Sequence, residues 1–190
     1  MTTAAATTLP STINGVSVPD LEQAMQLVSE SPELGMLTFE TRTRWLGGMR
    51  TRSEVSGYVM GGQPIARRHV IESDEPVEIL GRDEAPNPQE LFLSSVGACL
   101  SAIWAVQATK RGVVLRSLEI EMRGTLDMRG PLELADVPRG CPEVDCIVHV
   151  DADASPEMLQ EIHEAVQRTS PNFYHLTTAI PARAQLVLTR

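Results

Sequence analysis

The chain has 190 residues, 42% of them hydrophobic, which is enough to bury the core of one ordinary globular domain. Its net charge is −9, with 16 Lys and Arg against 25 Asp and Glu; this acidic balance argues against nucleic acid as a partner, because phosphate binding needs a basic field. The three cysteines, Cys99, Cys141 and Cys146, are too sparse for a disulfide scaffold and suit a reducing compartment.

The N-terminal stretch MTTAAATTLPST has neither the basic nor the apolar region of a secretory signal. Its composition predicts a disordered tail over residues 1–11, one domain over 12–190 and a cytoplasmic location. No apolar run approaches the roughly 20 residues that span a bilayer, so no membrane partner is expected. PDLEQAMQLVSESPELG then predicts a short helix with a stripe of Leu21, Ala24, Met25 and Val28. LTFETRTRW alternates, with Leu37, Phe39 and Trp45 on one face and Glu40, Arg42 and Arg44 on the other, as in a half-buried strand. Gly47 and Gly48 mark a turn, RTRSEVSGYVM returns antiparallel, and ARRHVIES is a third strand ahead of Pro76.

From Asn87 the pattern changes. Asn87 is a good N-cap, Pro88 fits the first helical position and Glu90 completes a capping box. Lys110, Arg111 and Gly112 close the same helix. Residues 91–106 between them are apolar or small nearly all round, and such a helix belongs in the middle of a protein. SLEIEMRGTLDM predicts a strand with Leu118, Ile120, Met122, Leu126 and Met128 facing inward. After a Gly/Pro loop, VDCIVHVDADA predicts another, with Val144, Cys146, Val148 and Val150 sharing a face. Ser155-Pro156 opens a helix striped by Met158, Leu159, Ile162, Ala165 and Val166; Ser170-Pro171 breaks it, and ARAQLVLTR closes the chain as a strand. The mixture is that of an α+β domain.

Common chemical signatures are missing. His69, His149, His163 and His175 are scattered, with no metal-ligand spacing. There is no GxGxxG, Walker or GxSxG pattern. Cys146 reads as a small apolar strand residue and Cys141 as a loop residue beside Pro142, with a regulatory disulfide between them as the alternative. Cys99 lies in GACLSA, where Ser94, Ser95, Gly97, Ala98, Ser101 and Ala102 leave space for close packing or for a pocket. An ordinary thiol, with a pKa near 8.5, is only about 3% thiolate at pH 7, and burial lowers that fraction. A reactive Cys99 in mid-helix therefore needs a cation from another part of the fold.

Three stretches in order, PNPQELFLSSVGACLSA with its KRG stop, LEIEMRGTLDMRG and RTSPNFYHLTTAIPARAQL, resemble the OsmC/Ohr family of organic-hydroperoxide resistance proteins. The resemblance implies an intertwined homodimer, with antiparallel sheets wrapped around long central helices and active sites at the subunit interface. It also implies a chemistry without metal, haem or other cofactor. A peroxidatic cysteine attacks an organic hydroperoxide, a second cysteine resolves the product as a disulfide, and an arginine and a glutamate hold the thiolate and orient the substrate. On that resemblance Cys99 matches the peroxidatic cysteine. Arg50 is the best match for the arginine, with Arg44 in reserve; such a cation beside a thiol favours the thiolate. Gln89 holds the place of the glutamate in the Ohr branch, and Glu90 serves instead or only caps the helix.

The chain departs from the family where the resolving cysteine precedes a proline, because that dipeptide is Ser170-Pro171. A hydroxyl forms no disulfide. Two functions follow as expectations. One is a one-cysteine peroxidase that relies on an external thiol or dithiol, with Ser170 at most a hydrogen-bonding pocket residue. The other is a non-catalytic stress or binding protein that holds an apolar small molecule at the dimer interface.

Overall fold

In the computed structural model, which describes residues 11–188, the chain divides into two compact units, one up to Ser94 and one from Ser95. Apart from Ser11, the expected disordered tail lies outside the described residues.

The first unit opens with a small hairpin of β1 (Thr12–Ile13) and β2 (Val16–Ser17), joined through Asn14 and Gly15. Helix α1 (Val18–Glu30) follows, and the Oγ of its N-cap Ser17 accepts the Asp20 N–H. It stops short of the expected Gly35 because Pro32 follows Ser31, and residues before proline leave the helical region. The expected apolar stripe of α1 buries none of its residues within the unit.

The LTFETRTRW stretch forms two strands rather than one, β3 (Leu37–Phe39) and β4 (Arg42–Gly47). Both pair antiparallel with β5 (Arg50–Met60), whose other edge carries β6 (Gln63–Ser73). Gly47 and Gly48 turn the chain between β4 and β5 with φ of 101° and 58°, values that L side chains rarely adopt. The face expected to be half-buried is open: Trp45 is 73% exposed. Alternation sets which side chains share a face of a strand, but burial needs a layer packed on that face.

Helix α2 (Pro88–Lys110) has the expected bounds. Asn87 and Glu90 cap it reciprocally: Asn87 N–H donates to Glu90 Oε2 and Glu90 N–H to Asn87 Oδ1, both at 2.8 Å. Its length and composition would also let it cross a bilayer, which the reading of apolar runs missed because Ser94, Ser95, Ser101 and Gln107 interrupt the pattern.

In the second unit α2 packs on one face only. Val96, Leu100, Trp104 and Ala108 join Ile162 and Val166 of α3 (Pro156–Thr169) in the core. Under them lies the antiparallel pair β7 (Leu115–Gly124) and β8 (Val144–Ala152), in register with Ile120 opposite Val148 and Met122 opposite Cys146. Of the expected inward side chains, Leu118, Ile120, Met122, Cys146, Val148 and Val150 pack against this core, whereas Val144, at the start of β8, is not part of it. Strand β7 ends at Gly124, before Leu126 and Met128, because Asp127 turns the chain: its Oδ1 accepts the Arg129 N–H and its carbonyl the Gly130 N–H.

A short helix, α4 (Pro171–Thr177), follows α3 at once. The expected closing strand does not form over residues 182–188, and Leu186, Val187 and Leu188 are exposed there. Alternation supplies strand propensity, but a strand exists only where its backbone groups meet a partner edge.

Candidate functional site

Cys99 sits at the centre of α2, partly exposed and unbridged. The small residues around it divide. Gly97 faces β7, where an added Cβ would lie 3.5 Å from Met122 Cγ, while Ser94, Ser95, Ala98 and Ala102 are exposed.

Ser170 stands beside the thiol, with its Oγ 3.4 Å from Cys99 Sγ, and it is 1% exposed. It is placed there by two helix ends. Its N–H donates to the Val166 carbonyl and closes α3; its Oγ accepts the Phe173 N–H and opens α4, with Pro171 in the first turn. The sequence break at Ser170-Pro171 thus becomes a fixed corner rather than a loose loop.

Two further hydrogen bonds pin this corner to α2 on either side of Cys99. Asn172 Nδ2 donates to the Ser95 carbonyl at 2.9 Å, and Gln107 Nε2 donates to Thr169 Oγ1 at 3.1 Å. Arg111 orients the Gln107 amide by donating to both its backbone carbonyl (3.1 Å) and its Oε1 (2.8 Å). Thr169 Oγ1 in turn donates to the Ala165 carbonyl. Sequence reasoning missed Gln107 and Asn172. For Gln107 the available signal was a polar side chain in an otherwise apolar stretch, because buried polar groups require partners; Asn172, in the mixed PNFYHLT stretch, gave none.

The other expected site residues belong to the first unit. Arg50, at the start of β5, makes an ion pair with Glu84 at 3.0 Å, and its side chain is 31% exposed. Arg44 is more exposed and pairs with Glu54 across the β4–β5 ladder. The two arginines therefore have different surroundings: Arg44 lies in an open cross-strand pair, and Arg50 in an acidic neighbourhood. Glu90 is engaged in the α2 cap through Oε2.

The segment between β6 and α2 that carries Glu84 is organised by Asp74, a buried residue that the sequence reading passed over. The Asp74 carboxylate accepts the backbone N–H groups of Glu75 (2.9 Å), Arg82 (3.0 Å) and Glu84 (3.3 Å). Burial pushes this carboxyl up, but the N–H groups of Glu75, Glu84 and Arg82, together with the positive charge of Arg50, outweigh it and hold it below the ordinary aspartate value. Neighbouring Glu75 goes the other way, raised by burial and then by the negative charges of Asp74 and Glu90.

The remaining cysteines are not bridged. Cys146 packs against the core of the second unit, and burial pushes its thiol up. Cys141 lies over Gly124, where an added Cβ would come within 3.0 Å of its Sγ. A cleft of about 300 Å³ opens nearby, lined by Gly124, Thr125, Val137, Pro138 and Pro142, and Cys99 is not part of it. Among the described residues no three His, Cys, Asp or Glu side chains gather into a metal site.

The description of the OsmC-like protein family matches residues 81–184, more than half of the chain. No curated protein matches the sequence. Among solved structures, an OsmC-like protein from Mycoplasma pneumoniae is similar with a TM-score of 0.59 at 15% identity, over 74% of this chain and 87% of its own. An OsmC-like protein from Vibrio cholerae is similar with a TM-score of 0.52 at 13% identity, over 75% and 96%. An organic hydroperoxide resistance protein from Elizabethkingia anophelis reaches 0.50 at 14% identity, over 73% and 86%. At such low identity these likenesses speak for the fold alone, which is the expected α+β arrangement of helices and antiparallel sheets.

Proposed function

The chain belongs to the OsmC-like protein family, and from that premise we propose that it is a one-cysteine, thiol-dependent reductase of organic hydroperoxides. The observation that carries the reading is Cys99, an unbridged and partly exposed thiol with a hydrogen-bonding hydroxyl, Ser170 Oγ, at 3.4 Å.

In this reading the Cys99 thiolate attacks the distal peroxide oxygen and the O–O bond breaks. An alcohol leaves and the sulfur becomes a sulfenic acid. An external thiol then condenses with the sulfenic acid, releasing water and leaving a mixed disulfide. A second thiol equivalent frees Cys99 and departs as the external disulfide. Arg50 serves as the activating cation and Glu90 as the assisting acid, roles that family membership suggests. The protein works as a cytoplasmic homodimer, without nucleic-acid or membrane partners.

The test is stopped-flow consumption of cumene hydroperoxide with excess dithiol. Wild type turns over and Cys99→Ser does not; equal slow consumption by both removes the reading. A second reading is supported by the hydroxyl at Ser170, which supplies no resolving thiol. In that reading the chain is a binding or stress protein that holds an apolar small molecule with little turnover. Saturable binding of an apolar probe, unaffected by Cys99→Ser and without peroxide consumption, would favour it.

A further inference from the structure

We infer that Ser170 is a catalytic hydrogen-bond donor to the ionised sulfur of Cys99, and that the corner carrying it keeps the oxidised sulfur as a sulfenic acid that only a thiol from outside the chain can remove. The first part stands on geometry alone; the second rests on Cys99 being the reacting thiol of the proposed reductase.

The direction of the hydrogen bond follows from what else the hydroxyl does. Ser170 Oγ already accepts the Phe173 N–H at 3.3 Å, so its own proton is available, and Cys99 Sγ lies 3.4 Å away. With a neutral thiol either atom can donate. With a thiolate the sulfur has no proton, so the serine must be the donor, and a hydrogen bond to a charged acceptor is the stronger kind. Whenever the sulfur is ionised, the hydroxyl is thus its donor, held at hydrogen-bond distance.

Two features make this contact more than a chance neighbour. The hydroxyl is shielded, since Ser170 is 1% exposed and water competes little for it. The corner is also held in place before any reaction, by Asn172 on the Ser95 carbonyl and Gln107 on Thr169. A donor fixed in advance needs no reorganisation when charge appears on the sulfur.

The same geometry decides the fate of the oxidised sulfur. After oxygen transfer Cys99 carries S–OH, and disulfide formation requires a thiolate to attack that sulfur and expel hydroxide, which leaves as water. Ser170 supplies no sulfur. Its hydroxyl can hydrogen-bond the sulfenic oxygen but cannot resolve it, and in the proposed reductase the electrons that return Cys99 to the thiol come from two equivalents of an external thiol, oxidised to its disulfide.

The experiment has an alkylation arm and a peroxide arm, both read on full-length protein by peptide mass spectrometry, with Cys141 and Cys146 as internal controls. At neutral pH, Ser170→Ala slows iodoacetamide alkylation of Cys99 about tenfold and lowers the ultraviolet thiolate absorbance, the size expected for loss of a charge-assisted hydrogen bond. Ser170→Thr restores most of the rate. An unchanged rate and absorbance in Ser170→Ala overturn the donor assignment. One equivalent of cumene hydroperoxide leaves wild type with a sulfenic acid that a dimedone-type reagent traps. In Ser170→Cys the trap adduct is lost and an intrachain disulfide with Cys99 appears. A persistent trap adduct in Ser170→Cys, or a disulfide involving Cys141 or Cys146 in wild type, overturns the second part. A wild-type Cys99 inert to peroxide, with slowed alkylation in Ser170→Ala, removes the reductase reading and leaves the donor assignment standing.

Discussion

Asp74 Oδ2 accepts the backbone N–H of Glu84 at 3.3 Å, and Glu84 is the residue whose carboxylate holds Arg50. A buried carboxylate thus sets the position of the partner of the proposed activating cation. The pH dependence follows from the sign of the shift. The folded-state value of Asp74 lies below its unfolded one, so its contribution to stability is fully present above the unfolded value, near 3.9 for aspartate. It is lost as pH falls through the lower folded value. Thermal melts of wild type taken downward through that acid window lose stability from this group, and Asp74→Asn shows a smaller loss over the same window. Hydrogen exchange over residues 75–86 is faster in Asp74→Asn at neutral pH, because a neutral amide accepts these N–H groups more weakly.

The proposed role of Arg50 predicts that Arg50 and Arg44 separate in function. Arg44→Ala removes an exposed pair with Glu54, a kind worth about 0–1 kcal/mol, and leaves peroxide turnover near wild type. Arg50→Ala lowers turnover at least tenfold, while Arg50→Lys recovers only part, since an ammonium lacks the planar fork of the guanidinium. Steady-state rates with cumene hydroperoxide decide between them; equal losses in both alanine variants would remove the special role of Arg50.

Glu90 has a structural duty and a proposed chemical one, and glutamine tells them apart. A Gln side chain can still accept the Asn87 N–H that Glu90 now takes at 2.8 Å. Glu90→Gln therefore changes stability in denaturant titration by less than about 1 kcal/mol, yet lowers turnover if the acid assists. Asn87→Ala does the reverse: it removes the acceptor for the Glu90 N–H, costs about 1 kcal/mol and leaves the rate per folded molecule unchanged.

Leu100 and Ile162 are both buried in the core of the second unit. Leu100→Ala, one residue from the thiol, lowers the unfolding free energy by about 2–5 kcal/mol. Ile162→Val costs about 0.5–1.5 kcal/mol. Urea unfolding with a fixed m-value checks both.

Much was legible from local signals. The Asn87 and Glu90 cap, the Pro88 start and the basic, glycine-marked end bounded α2 before any packing was known. The stripe of α3 and the alternation of β7 and β8 named the side chains that line the core. These features are local because a helix or strand writes its own period and its own end groups into a few neighbouring residues.

Other features were not local. Within the second unit one face of α2 packs and the other does not, although its composition is nearly uniform round the axis. The apolar residues of β4 and of residues 182–188 alternate as buried strands do, yet they are exposed. Asp74 reads as one more loop acid until its three N–H donors, spread over residues 75–84, are folded around it.

The sequence by itself determined that this chain carries a long, nearly uniformly apolar helix with a thiol at its middle, and a Ser-Pro break after its last long helical stripe. Only the tertiary structure decided that Ser170 touches Cys99. The two residues are 71 positions apart, and no period or cap spans that distance. Their contact depends on α3 closing at the residue where α4 opens, and on Asn172 and Gln107 fastening that corner to α2.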